Sequence, residues 1–268
     1  MTFHTVLKIE KNQISIKMLK LGKKWLLGLI SPVVFLGCNG KVPKNEMNSI
    51  GLTKTEDAHL TYILPTPQYD GNISVEKALM NRRSHRRFQN RALSAEQLSQ
   101  ILWAAYGITD PKPNYPLLQG GLRTAPSAGA MYPLEIYVAI GKVKGIESGL
   151  YKYDSREHKI IQTIDKDIRD ELCAAALGQD MIRKAPVSVV YSAIFSRMTN
   201  QYGERGRERY VCMDLGHSAQ NIYLQAEALH LGTCAVGAFV DAQVSQVLQL
   251  PAEEEPLYIM PFGYYYVK

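Results

Sequence analysis

The sequence predicts an α+β fold, in which a mixed sheet is flanked by helices. Predicted strands and helices alternate irregularly along the chain, and this order is the first observation behind the fold class. The second is the composition, because 46% of the residues are apolar and 21% are charged, as in an ordinary globular protein. A chain of 268 residues suits one large domain or two small ones. Collagen, coiled coil and bulk disorder are excluded.

Two helices near the start of the folded region are predicted from their first residues. Ser74 is expected to cap a short helix that runs through Leu79. Ser94-Ala-Glu-Gln97 is a capping box, and it opens a helix with an apolar face.

The strands are predicted from short apolar or alternating segments. Gly149–Asp154 and Lys159–Ile164 form a predicted hairpin. The other predicted strands are Leu134–Ile140, Pro186–Ile194 and Leu257–Gly263, and short helices are expected at Ile168–Leu177 and Gln243–Leu250.

The segment Tyr210–Leu231 has the strongest helical period in the chain. Its apolar stripe consists of Leu215, Ala219, Ile222, Ala226 and Leu229. Cys212 and Met213 add apolar side chains on other faces, so we expect this helix to be buried nearly all round. A helix that is apolar on every side needs cover on every side, which favours a homodimer formed through it.

The positive charge of the chain is concentrated at its beginning. The net charge is +6, and the segment up to Gly37 holds six lysines and one acid. The rest of the chain is therefore nearly neutral, which argues against nucleic acid as a partner.

Residues 1–37 resemble a lipoprotein-type signal segment, in which Met18 is the expected physiological start and Met1–Lys17 an upstream extension. The apolar run Trp25–Gly37 follows basic residues and ends at a Gly-Cys junction, and it is shorter than the roughly 20 residues of a membrane span. Cys38 would then carry a lipid and anchor the protein to the bacterial cell envelope outside the cytoplasm. An uncleaved hydrophobic anchor and a cytoplasmic location are the alternatives. Residues 38–69 read as a polar tether, and residues 70–268 as the folded domain.

Several common catalytic and metal-binding signatures are absent from the sequence. It contains no G-x-x-x-x-G-K-[ST], G-x-G-x-x-G, H-E-x-x-H or G-x-S-x-G motif. The six histidines lack ligand spacing, so no metal site is expected. The four cysteines lack C-x-x-C spacing, which excludes a zinc ribbon and a disulfide scaffold.

Two features point to a bound ligand. Arginines crowd around one hydroxyl in Arg82-Arg83-Ser84-His85-Arg86-Arg87, and they can converge on a dianionic phosphate. A solvated basic face is the alternative interpretation. The small-residue loops Ala125–Ala130 and Thr233–Ala238 would let backbone approach a flat ligand closely.

These motifs, taken in order, resemble the FMN-dependent nitroreductase superfamily and, within it, the SagB-type dehydrogenases. The resemblance runs from about Tyr69 to Tyr264 and rests on four segments. They are Arg82–Arg86, Arg123–Pro133, Leu229–Phe239 and Pro256–Tyr264. It implies a nitroreductase-like fold with a mixed antiparallel sheet flanked by helices, a homodimer, and FMN as the cofactor of the domain at 70–268.

The resemblance also implies roles for individual residues. The motif at Arg82, Arg83, Ser84 and Arg86 would hold the FMN phosphate and the ribityl chain. The segment Pro126, Ser127, Ala128 and Gly129 would reach FMN from the neighbouring subunit. The backbone of Val236 and Gly237 would face the isoalloxazine edge, and Tyr202 is the candidate proton donor.

The function implied is two-electron hydride transfer through flavin N5, from NAD(P)H to a small organic acceptor. A SagB-type dehydrogenase acting on a peptide heterocycle or another modified natural product is an alternative. It is weakened because Gln201 stands where azoline-oxidising members carry lysine, while Tyr202 is retained. A flavin-free binding module tethered at the surface is the alternative of another class.

Overall fold

An eight-stranded antiparallel sheet forms the centre of the structure. The structure is a computed structural model that describes residues 51–54, 60–111 and 120–266. Its strands are β1 (Gly51–Lys54), β2 (Leu60–Ile63), β3 (Ile108–Asp110), β4 (Leu122–Arg123), β5 (Leu134–Ile140), β6 (Gly149–Asp154), β7 (Lys159–Ile164), β8 (Val187–Ile194), β9 (Gly232–Thr233) and β10 (Glu254–Gly263). Its helices are α1 (Val75–Asn81), α2 (Ala95–Tyr106), α3 (Arg169–Ala175), α4 (Asp180–Lys184), α5 (Ser196–Tyr202), α6 (Val211–Ala228) and α7 (Asp241–Leu248).

The strand order of the large sheet is β1-β2-β7-β6-β5-β8-β10-β9, and its paired strands run antiparallel. β3 and β4 form a separate two-stranded ribbon. The predicted hairpin is present as β6 and β7, with the predicted bounds. Antiparallel pairing with helices set apart on the faces confirms the α+β class.

Helices cover both faces of the sheet, and the side chains of β8 alternate between two apolar cores. Val189 and Tyr191 join the core under α2 and α6, whereas Val190 joins the core under α3, α4 and α7. This is the period of two expected of a strand whose faces are both buried. Each such side chain contributes about 1.5–3 kcal/mol when it is removed from water.

The predicted helix starts are confirmed by their hydrogen bonds. Ser74 Oγ accepts a bond from the backbone N–H of Lys77 at 3.2 Å. In the capping box, Ser94 Oγ accepts from Gln97 N at 3.3 Å, and Gln97 Oε1 accepts from Ser94 N at 3.0 Å. These bonds satisfy N–H groups that have no partner within the helix.

The predicted tether at 38–69 overlaps the folded domain, which begins before residue 70. Leu60–Ile63 is strand β2, and Tyr62 is paired with Ile160 of β7. Tyr62 is 4% exposed, and its ring lies 5.9 Å from the ring of Tyr151. The segment is too short to show a period, and it pairs with two strands, β1 just before it in the chain and β7 about a hundred residues later.

The prediction that the long helix is buried nearly all round is wrong for the single chain. The stripe residues Leu215, Ala219 and Ile222 are buried, but Met213 is 53% exposed and Cys212 is also exposed. Met213 precedes Leu215 by two positions, about 200° around the helix, and so projects away from the stripe. Cys212 lies about 60° from Leu215 and is exposed in the first turn of α6. α6 therefore presents an uncovered face with an apolar side chain at its start.

The predicted signal segment, the lipid site at Cys38 and the tether up to residue 50 lie outside the described residues. Within the described ranges, no helix is long and apolar enough to cross a membrane.

Candidate functional site

The arginine motif and the loop after α6 are held side by side by the backbone. Ser84 forms a parallel bridge with Thr233, and the N–H of His85 donates to the Thr233 carbonyl at 2.9 Å. A Cβ added to Gly232 would lie 2.7 Å from the Cβ of His85, closer than real Cβ contacts allow. Only glycine permits this approach at position 232, so two of the predicted ligand-binding segments form one wall.

Tyr223 of α6 links these two segments through its hydroxyl group. Its Oη lies 3.1 Å from Ser84 Oγ and accepts a hydrogen bond from the backbone N–H of Ala235 at 2.8 Å. The guanidinium of Arg82 lies over the Tyr223 ring, 5.2 Å from its centroid. Tyr223 was not among the predicted site residues, because its one signal in the sequence is its place beside the apolar stripe of α6. Arg82, Arg83, Ser84 and Arg86, with Tyr223 and Thr233–Gly237, are called the arginine cluster below.

The arginine cluster carries positive charge without neutralising partners. Among the described residues, no carboxylate forms an ion pair with Arg82 or Arg86, although ten other ion pairs are present. Arg82 is half-buried and Arg86 is exposed. Unpaired guanidinium groups beside a hydroxyl fit a phosphate ester, since they offer forked, charge-assisted hydrogen bonds.

Arg83 differs from its neighbours, because its side chain turns back onto the end of α1. Its Nη1 donates to the carbonyl of Met80 at 3.1 Å and to the carbonyl of Arg82 at 2.8 Å. These carbonyls are at the helix C-terminus, where a cation is favourable. The structure therefore gives Arg83 a helix-capping role and leaves Arg82 and Arg86 as the phosphate candidates.

The other small-residue loop, Ala125–Ala130, is held by hydrogen bonds to the start of α6. Ser127 Oγ donates to Asp214 Oδ2 at 2.5 Å and accepts from the backbone N–H of Tyr132 at 2.9 Å. The N–H of Ala128 donates to Asp214 Oδ1 at 3.4 Å. Burial raises the pKa of the Asp214 carboxyl, while the bonds from Ser127 and Ala128 act in the opposite direction. The Ser127 hydroxyl thus holds the loop in shape.

Tyr202, the candidate proton donor, lies against the same loop. Gly129 has φ +59°, and a Cβ placed there would come within 2.4 Å of the Tyr202 hydroxyl oxygen. The Tyr202 ring packs edge-on to Tyr210 at 5.0 Å, and the Tyr210 hydroxyl accepts from Arg205 Nε at 2.9 Å. Residues Pro126–Gly129, together with Asp214 and Tyr202, are called the serine loop below.

Val236 does not fit the role that the resemblance implies for its backbone N–H. That N–H donates to the Ile259 carbonyl at 2.9 Å, and the Val236 carbonyl accepts from Ile259 N at 3.0 Å. The side chain is 3% exposed in the core. Val236 is therefore committed to the sheet edge, whereas Gly237 is exposed, with space beside it bounded by the Tyr258 ring.

The arginine cluster and the serine loop lie on opposite sides of α6. Tyr223 follows Asp214 by nine residues, which is two and a half helical turns, or a rise of about 13 Å. The two side chains consequently project in opposite directions from the helix. The structure brings the site residues together in two groups, and one chain does not bring these groups to a common point.

Comparison with known proteins places this geometry in context. The nitroreductase family model matches residues 79–264, which include both groups. A protein of Methanocaldococcus jannaschii that is named as a nitroreductase is 45% identical over 191 residues, covering 71% of this chain and 91% of its own.

A crystal structure of a protein from Ralstonia eutropha, also named as a nitroreductase, superposes with a TM-score of 0.64 at 29% identity. It covers 78% of this chain and 90% of its own. The trifolitoxin-processing protein of Rhizobium leguminosarum is 28% identical over 164 residues, covering 59% of this chain but only 43% of its own length. The fold, the site segments and these relatives agree, and the chain belongs to the nitroreductase family.

Proposed function

We propose that this nitroreductase-family oxidoreductase binds FMN at the arginine cluster. When bound, FMN supplies two-electron hydride transfer through N5 between NAD(P)H and a small organic acceptor. The observation that carries the proposal is a pair of arginines that form no ion pair with the described residues. Arg82 lies over the ring of Tyr223, whose hydroxyl contacts Ser84, and Arg86 follows Ser84 by two residues. The described residues contain no cluster that could hold a metal ion.

The residues of the arginine cluster fit distinct parts of the cofactor. Arg82 and Arg86 would bind the phosphate, and Ser84, oriented by Tyr223, would bind the ribityl hydroxyls. Gly237 offers exposed backbone where a flat ring can lie close to the chain. Tyr202 would hold or donate a proton at the acceptor, since its hydroxyl lies at the serine loop next to Gly129.

We further propose that the site is completed by a second copy of the chain. α6 separates the arginine cluster from the serine loop, so a flavin that touches both must lie between two subunits. The exposed side of α6, which includes Met213, supplies an apolar surface that a partner subunit would cover. The proposed assembly is a homodimer with its serine loop reaching the partner's arginine cluster.

A second candidate function is favoured by one relative. The match to a protein named for trifolitoxin processing supports a dehydrogenase that acts on a peptide heterocycle or another modified natural product. Gln201 opposes azoline oxidation, because it stands in the place of the expected lysine. Steady-state assays separate the two candidates, with NADH and a nitroaromatic or quinone in one arm and an azoline-containing peptide in the other.

The proposed location is the bacterial cell envelope, with the protein anchored through a lipid on Cys38. The support is the basic and apolar pattern up to Cys38. Cys38→Ser should remove the lipid and shift the protein out of the membrane fraction. A wild-type protein that fractionates in the cytoplasm with residues 1–37 intact would contradict the proposal.

The cofactor proposal is tested by purifying the full chain in mild detergent and identifying any flavin released on denaturation. We expect FMN, with bound-flavin absorbance that is lost on release. A purified, folded protein that takes up no FMN at micromolar concentration would contradict the proposal and favour a flavin-free binding module.

A further inference from the structure

The described residues line an open cavity that is separate from the residues proposed to hold FMN. Its volume is about 560 Å³, within the range of small-molecule sites. Tyrosine rings from α2, from the segment before β5 and from β6 form part of its wall, namely Tyr106, Tyr132 and Tyr153. None of the residues proposed for phosphate, ribityl or ring contact lines it.

Arg123 lies in the wall of this cavity as a half-buried cation that forms no ion pair with the described residues. Its guanidinium lies 4.2 Å from the Tyr106 ring centroid and 4.8 Å from that of Tyr132. Its Nη1 donates to Ser155 Oγ at 2.8 Å and to the Tyr106 carbonyl at 3.4 Å. In the described part of the chain no carboxylate forms an ion pair with it.

Two polar atoms in the same wall lack hydrogen-bond partners among the described residues. They are Nε of Arg123 and the hydroxyl of Tyr106, and Tyr106 is only 2% exposed. A buried polar group without a partner is unfavourable, because it has lost its hydrogen bonds to water. Both atoms are inaccessible from the cavity, so the group of this wall that a hydrogen-bond acceptor can meet is the half-buried guanidinium of Arg123.

The other charges around the cavity largely neutralise one another. Lys152 pairs with Glu135 at 3.1 Å and with buried Glu254 at 2.8 Å, and Arg197 pairs with Glu135 at 2.7 Å. At the rim, the carboxylate of Asp154 accepts the backbone N–H of Arg156 at 2.8 Å. Lys152, Arg156 and Arg197 carry three positive charges. Glu135, Asp154 and Glu254, which pairs with Lys152 but does not line the cavity, carry three negative ones, so the excess positive charge is that of Arg123.

We propose that this cavity binds a monoanionic organic acid, with its carboxylate on Arg123 and its apolar body against the tyrosine rings. A planar carboxylate matches the guanidinium fork, and the single excess charge matches a monoanion. The site goes beyond the proposed FMN function, because it uses different residues. The cavity is next to the serine loop, because Ala130 and Met131, which line it, follow Gly129 directly in the sequence.

The test is calorimetric titration of the full-length protein with benzoate and with benzamide, its neutral counterpart of the same shape. We expect benzoate to bind once per chain and benzamide to bind at least about tenfold more weakly, because only benzoate gains charge-assisted bonds. Equal affinities, or no binding of benzoate, would overturn the proposal. This comparison uses wild-type protein and so does not depend on a variant that folds.

Variants then locate the site. Arg123→Gln should weaken benzoate binding at least about tenfold, and exposed Arg156→Gln should weaken it by a smaller factor. Lys159→Gln changes a basic residue of the same hairpin that does not line the cavity, and it should leave benzoate affinity unchanged. Arg82→Ala should also leave it unchanged. If Arg82→Ala abolishes benzoate binding, or if folded Arg123→Gln and Arg156→Gln bind as the wild type does, the cavity is not the site.

Discussion

Replacing Arg82 by alanine should weaken FMN binding without unfolding the protein. Arg82 is half-buried, forms no ion pair among the described residues, and lies over the Tyr223 ring at 5.2 Å. Its guanidinium is therefore ready to bind a phosphate and is not committed to a carboxylate of its own chain. The substitution removes that group and leaves the backbone contacts of the motif in place.

The expected loss follows from the kind of bond removed. A hydrogen bond to a charged group contributes about 1.5–3 kcal/mol, which corresponds to a roughly 10- to 150-fold increase in Kd. The contact with the Tyr223 ring adds about 0.5–1 kcal/mol to the stability of the protein without FMN. Loss of this contact in Arg82→Ala should appear as a small decrease in the Tm of the protein without FMN.

The assay is titration of the apoprotein with FMN, followed by quenching of flavin fluorescence, at two salt concentrations. Arg87→Ala is the matched control, because Arg87 is an exposed arginine of the same run outside the resembled motif. It should change Kd little. An Arg82→Ala protein that binds FMN as the wild type does would contradict the prediction, and so would an Arg87→Ala protein that loses as much affinity. Either result would indicate that these arginines form a solvated basic face.

Three further predictions concern the serine loop and α6. Gly129→Ala should lower Tm and weaken FMN binding, because φ is +59° at this position and the new Cβ would collide with Tyr202 Oη. Adding Tyr202→Phe to the same chain removes that oxygen and should recover part of the lost Tm and affinity. Burial raises the pKa of Asp214 above 3.8, so the stability of the wild-type protein should fall as pH rises through and above that value. Asp214→Asn should flatten this pH dependence in urea unfolding. If the variant keeps the wild-type pH dependence, Asp214 is not its cause. Met213→Glu should give monomers in sedimentation, and an intact dimer would place the interface elsewhere.

Local signals in the sequence predicted the elements whose causes are local. Ser74, Ser94 and Gln97 satisfy N–H groups within their own first turn, so the residue pattern alone predicts where the helices start. The hairpin β6–β7 was predicted with its bounds, because its two alternating segments are adjacent in the chain. The arginine motif and both small-residue loops were also recognisable as ligand-binding segments.

The features that were missed depend on partners distant in sequence. β2 pairs with β1 through Leu52 and Tyr62, but it joins the large sheet through the pairing of Tyr62 with the distant Ile160. The Val236 N–H is used by Ile259, so only the sheet register shows that Gly237 is the position left exposed. Tyr223 joins two segments that precede and follow it, and its role depends on the packing of α6.

The central claim is that one flavin site combines the arginine cluster of one subunit with the serine loop of its partner. Subunit mixing tests this most directly, using Arg82→Ala and Gly129→Ala proteins that each bind FMN weakly. Mixed dimers contain one site with both wild-type halves, so the account predicts recovery of tight FMN binding at one flavin per dimer. If the site lies within a single chain, every chain in the mixture is defective, and the absence of any recovered tight binding would contradict the claim.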